Sequence, residues 1–406
     1  MREGNSAQVA LVIDWLHQQG LQGHDGGDIL DGLCQKLLTI GVDLERAVVG
    51  YLVFHPQFEA MNFTWQRGKG PAERASATLA DILQAPSPFL EMQLRGIQEM
   101  RYRLDKPRAK LPYAFLEQLQ RQGFTDYFAL FQPFGTFADR TIWPDMPPDM
   151  KLQEGVTGSL GTKRPGGFTD RELEMLRSLA PALCVAVRVG AVLEMAETLL
   201  QAYLGDDAGR SVLRGHVRRG QSRTIHAVVW HSDLRGSTVL AESAPPELYL
   251  ITLNQYYDCV VDAVMEHGGE VLKFIGDGVL AIFPFEPATP AETEVSQRAL
   301  TAARDALTRL ATINTKRRED GLHEIRCGIA LHSGDLMYGN VGSTRRLDFT
   351  VMGPTVNEVV RLETLCKKLN VPLVISETVA SVIKEPLRSL GSYKLPGIGR
   401  KIEVFG

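Results

Sequence analysis

Residues 346–363 read RLDFTVMGPTVNEVVRLE, and this stretch packs a short strand, a sharp turn and the opening of a helix into eighteen positions. The strand DFTVM ends at Gly353, and Pro354 follows it, ahead of a helix. Thr355 and Glu358 are spaced as a capping box, which predicts that the helix begins at Thr355. Asn357 and Arg361 stand four residues apart, so they share a helix face, with Asn357 in the first turn. Plain solvent exposure accounts for such a pair. An amide and a guanidinium at a helix start also suit a ribose hydroxyl and a phosphate charge.

Working outward, strand and helix signals alternate over residues 224–406, with AVVWHS at 227–232, the hairpin EVLKFIGDGVLAIF at 270–283 and a long helix beginning at Glu292. Helices returning onto one face of a mostly antiparallel sheet describe an α+β sandwich of ferredoxin type. Asp233 closes the strand AVVWHS, and as a lone residue it reads first as a helix cap. Asp277 sits in Gly276-Asp277-Gly278, where Asp-Gly is the common two-residue hairpin turn. The pair shifts the balance, because two carboxylates at adjacent strand ends suit two divalent ions. Lys273 precedes Asp277 by four positions in an otherwise apolar strand, where edge placement or snorkelling is the bland reading.

Composition narrows the field. The chain has 406 residues, 44% hydrophobic and 23% charged, as ordinary globular proteins do, and its length suggests two or three domains. The net charge of -4 disfavours nucleic acid and anionic lipid as partners. Five Cys, odd in number and without a CxxC pair, read as buried reduced thiols. There is no GxxxxGK[ST], HExxH, EF-hand loop or GxSxG. With no exported leader or membrane span expected, the location expected is cytoplasmic.

Residues 1–188 read as a mixed α/β unit: helices near 8–19 and 28–40, strands AVVGYLVF and EAMNFTW, helices near 87–101 and 112–122, and the strand DYFALFQPF. Thr169 and Glu172 form a capping box at the start of another helix. Val189, Leu193, Ala196, Leu200 and Tyr203 then follow the a/d rhythm of a coiled coil for two heptads. Residues 189–223 are the expected helical linker, and GDDAGRSVLRGHVRRGQSRT its polar end.

Together, Asp233, Lys273, Asp277, Thr350, Asn357 and Arg361 resemble, in order and spacing, the signature of class III nucleotide cyclases, specifically a bacterial subgroup with Thr at the position of Thr350. The resemblance covers residues 224–406. It implies two divalent metal ions, Mg²⁺ or Mn²⁺, on Asp233, Leu234 and Asp277; adenine selection by Lys273 and Thr350; and transition-state roles for Asn357 and Arg361. It further implies ATP as substrate, cyclic AMP as product, and a homodimer whose partners share each site. A phosphate-contacting Lys is also implied, at Lys394 or Lys401. The order of elements in residues 1–188 resembles a GAF-type sensor, implying an unidentified small-molecule effector. Guanylate cyclase, disfavoured by Lys273, and a catalytically silent nucleotide-binding or dimerising module are the competing readings.

Overall fold

The computed structural model describes residues 2–106, 111–134, 152–285 and 292–406. The chain divides into two compact units, Met1–Leu199 and Leu200–Gly406.

In the first unit, α1 (Arg2–Gln22) and α2 (Gly26–Thr39) precede β1 (Arg46–Leu52), β2 (Ala60–Gln66) and β3 (Glu73–Ala77). Next come α3 (Leu79–Gln84), α4 (Pro88–Arg95), β4 (Glu99–Arg103), α5 (Ala114–Arg121), β5 (Asp126–Pro133), β6 (Gly155–Thr162) and α6 (Asp170–Leu204). The strands form one antiparallel sheet in the order β3-β2-β1-β6-β5-β4. Residues of α1, α2 and α6 pack into one core with β1 and β2, and α4 and α5 pack with β5 into another.

The structure corrects the sequence reading at two points here. The helix expected over 87–101 stops at Arg95, because Gly96 takes a left-handed conformation at φ 68° that ends it, and Glu99–Arg103 pairs with β5 as a strand. The central strand β6, GVTGSLGT, escaped the sequence reading because three glycines erase the strand signal. Ladders with β1 and β5 on both sides stabilise it. The capping box at Thr169 is present: Glu172 N donates to Thr169 Oγ1 at 3.3 Å, and Thr169 N donates to Glu172 Oε2 at 2.7 Å. By length and composition α6 could cross a membrane. Ten of its residues, including Leu173, Leu176 and Val187, are buried, so core packing accounts for much of its apolar content.

The second unit runs α7 (Asp206–Leu213), β7 (Ser222–Leu234), α8 (Ser237–Ser243), α9 (Pro246–Glu266), β8 (Glu270–Ile275), β9 (Gly278–Pro284) and α10 (Glu292–Glu319). It continues with β10 (Cys327–Gly342), β11 (Leu347–Met352), α11 (Pro354–Leu369), β12 (Leu373–Ser376), α12 (Glu377–Ala380), β13 (Ser389–Lys394) and β14 (Lys401–Phe405). The sheet order is β13-β14-β12-β10-β7-β9-β8, with β11 paired to β10. Helices α9 and α10 cover one face, and α11 covers the other, not the same one. With both faces covered, Ala227–Ser232 are buried without alternation.

Candidate active site

Three carboxylates and one guanidinium converge at the end of β7. Asp233 pairs with Gly278 across the β7–β9 ladder, which brings it beside Asp277, and Leu234 N donates to the Asp277 carbonyl at 3.4 Å. The hairpin turn is Gly276-Asp277, with Gly276 at φ 63°, so Gly276 and not Gly278 supplies the left-handed residue; Gly278 is held in the ladder opposite Asp233. Tyr257 of α9 fixes this turn by donating its hydroxyl to the Gly276 carbonyl at 2.7 Å.

Asp233 is pushed up to about 6, first by burial and then by the charge and hydrogen bond of Asp277. Asp277 Oδ2 is buried without a hydrogen-bond partner. Like charges held together with an orphaned oxygen fit a divalent cation. Among the described residues no cluster of three or more His, Cys, Asp or Glu forms a complete metal cage. The two carboxylates could form part of an oxygen set for Mg²⁺, which takes its remaining ligands from phosphates and water.

Arg235 and Glu363 escaped the sequence reading. Their side chains are 20% and 7% exposed, with Arg235 Nη2 lying 3.2 Å from Glu363 Oε1. Burial, eased by Arg235 and reinforced by Asp233 and Asp277, pushes Glu363 up to about 7. The pair lies over Gly328, where a Cβ would come within 2.1 Å of Arg235 Nη2 and 2.3 Å of Glu363 Oε1. The available sequence signal was periodicity, which places Glu363 on the apolar side of α11 with the buried Val359, Leu362 and Cys366.

Asn357 and Arg361 occupy a different side of α11. Two residues span about 200° of a helix, so Arg361 points away from Glu363 and from the carboxylates that Glu363 senses. Arg361 borders the loop at Gly397. Among the described residues, neither the Asn357 amide nor the Arg361 guanidinium has a side-chain hydrogen bond. The capping box expected at Thr355 does not form. The helix already starts at Pro354, Thr355 Oγ1 donates to the Asp335 carbonyl at 2.6 Å, and Glu358 Oε2 instead lies 3.1 Å from His332 Nε2.

Lys273 of β8 reaches across to β11, where its Nζ lies 2.5 Å from Asp348 Oδ2, a partner that the sequence reading did not name. Thr350, two positions along the same strand face, is 5% exposed, and its Oγ1 has no partner. Lys394 and Lys401 stand directly opposite each other on β13 and β14.

Comparison with known proteins finds likenesses for residues 221–405. Residues 221–405 match the family model described as the adenylate and guanylate cyclase catalytic domain. The chain is 31% identical over 176 residues to adenylate cyclase 1 of Rhizobium meliloti, covering 43% of this chain and 26% of that protein. It is 30% identical over 192 residues to an adenylate cyclase of Anabaena cylindrica, covering 47% of this chain and 36% of that protein. The match thus spans about a quarter to a third of these relatives' length. Among solved structures, the adenylyl cyclase CyaB of P. aeruginosa aligns with a TM-score of 0.42 at 24% identity, over 46% of this chain and 94% of that one.

Proposed function

We propose, from the premise that residues 221–405 are a class III cyclase catalytic domain, that the protein converts ATP to 3′,5′-cyclic AMP and pyrophosphate in a homodimer. The observation that carries this reading is the half-buried Asp233–Asp277 pair, whose mutual repulsion and orphaned Oδ2 call for cations. Two divalent ions bound there would acidify the ribose 3′-hydroxyl and neutralise the triphosphate.

The chain's own residues do the rest. Lys273, held by Asp348, and the unpartnered hydroxyl of Thr350 present a donor and a donor–acceptor to the edge of adenine. Arg361 supplies a fixed charge to the α-phosphate as it gathers negative charge, and Asn357 orients the ribose by hydrogen bonding. Because Arg361 turns away from the carboxylates of its own chain, a second copy would supply it, together with Asn357, to each site. Exposed Val185, Val189 and Val192 follow one another at spacings of four and three along α6, a seam that suits pairing with the same helix of the second copy. The GAF-like first unit is assigned a regulatory role.

The test is cyclic nucleotide formation by the full chain, with ATP and GTP side by side, in Mn²⁺ and then Mg²⁺. Cyclic AMP that vanishes in Asp277→Ala is the expected result. Cyclic GTP-derived product in excess, or unchanged turnover in Asp277→Ala, would overturn the base or the metal assignment respectively.

A further inference from the structure

The first unit contains a cavity of about 330 Å³ between the sheet and helices α2 and α6. Its floor is Gly158, which the register places between Val49 of β1 and Leu130 of β5. A Cβ at Gly158 would meet nothing closer than the Val48 carbonyl at 3.6 Å, so a larger residue fits the backbone there. Central strands ordinarily fill such a position with β-branched or aromatic side chains. Ala180 of α6, another small residue, also lines the space.

The lining states the chemistry of the occupant. Leu33, Leu37, Leu160, Leu176 and Leu183 form apolar walls. Cys34 and Cys184 also border the space, and burial raises both thiols, which keeps them neutral and makes them apolar lining in place of thiolate ligands. At one end stand Gln98, Gln132 and the Arg177–Glu99 pair. Arg177 Nε and Nη2 donate to the two Glu99 oxygens at 2.7 and 2.8 Å, so these charges satisfy each other. Among the described residues the amides of Gln98 and Gln132 have no side-chain hydrogen bonds, which leaves neutral donors and acceptors at that end.

Protein interiors are close-packed, and a void destabilises in proportion to its volume. An apolar cavity of about 150 Å³ stays dry and takes up benzene. We propose that the first unit binds, in this cavity, an uncharged and largely apolar small molecule of on the order of ten non-hydrogen atoms, scaled from the six of benzene in about 150 Å³, with its single polar end toward Gln98 and Gln132. This names the ligand class for the regulatory role assigned above. It is tested by binding alone, so its failure leaves the cyclase reading standing.

The experiment is calorimetric titration of the full chain with 1-decanol, and with decanoate as the charged counterpart. Saturable one-to-one binding of decanol is expected, weaker by at least about tenfold in Gly158→Leu, which fills the floor. Ala180→Leu fills the space from the helix side and gives the same reading should Gly158→Leu fail to fold. No saturable binding, or equal affinity in the parent and the folded filled variants, overturns the site. Tighter binding of decanoate than of decanol overturns the uncharged class.

Discussion

Replacing Asp277 by Asn should make the metal-free protein more stable and the metal-loaded protein less so. The rise of Asp233 from an ordinary 3.8 to about 6 corresponds to about 3 kcal/mol at full weight. Burial is its largest cause, and Asp233 is only half buried, so solvent screening trims the share due to Asp277 to about 1 kcal/mol. At pH 7.5 in chelator Asp233, pushed up to about 6, is charged in the parent, and the Asn variant removes the neighbouring carboxylate with almost no change of shape. The transition of the cyclase unit in the full chain should therefore rise by about 2–4 °C in calorimetry. With Mn²⁺ at a hundred times its dissociation constant the parent gains about 2.7 kcal/mol, and the variant should lose most of that gain. The two orders of stability thus invert with metal. A variant less stable than the parent in chelator, or one that keeps the full Mn²⁺ rise, would refute the argument that these carboxylates repel each other for the sake of a cation.

Arg235→Met leaves the buried Glu363 without its cation and should cost about 3 kcal/mol in urea melts, while Arg235→Met with Glu363→Gln should recover most of that loss; additive effects would show that the pair is not coupled. Lys273→Glu sets two carboxylates against each other at Asp348 and should lower the ATP-to-GTP ratio of kcat/KM by at least about tenfold, and an unchanged ratio would mean that the purine pocket lies elsewhere. Burial, with Arg400 adding to it, pushes His332 down to about 4, so the unfolded chain binds its proton more readily. The stability this histidine contributes is whole above pH 6.5 and drains as pH falls toward 4, by up to about 3 kcal/mol, and melts at stepped pH should show a shallower acid slope in His332→Gln.

The residues that bear the proposed chemistry were legible in the linear chain because each belongs to a motif whose spacing is local. A turn puts Asp277 between glycines, and one helical turn separates Asn357 from Arg361. The hairpin, the helix after Pro354 and the start of α6 were legible for the same reason, since caps, turns and helical periods act over three or four residues. Where local signals conflict, tertiary pairing prevails. Three glycines argue against a strand at β6, yet two neighbouring strands hold it in place, and Thr355 turns from its expected cap to the Asp335 carbonyl twenty residues away. Chain separation also concealed the partners that set the site's electrostatics. Asp348 lies 75 residues from Lys273, and Glu363 meets Arg235 only because α11 packs over β7 and β10. Residue types and short spacings therefore offered the six groups of the proposed site, without Arg235, Glu363 or Asp348. Their charge states, their pairings and the unfilled space above Gly158 depend on burial and on contacts between distant segments, which only the folded chain creates.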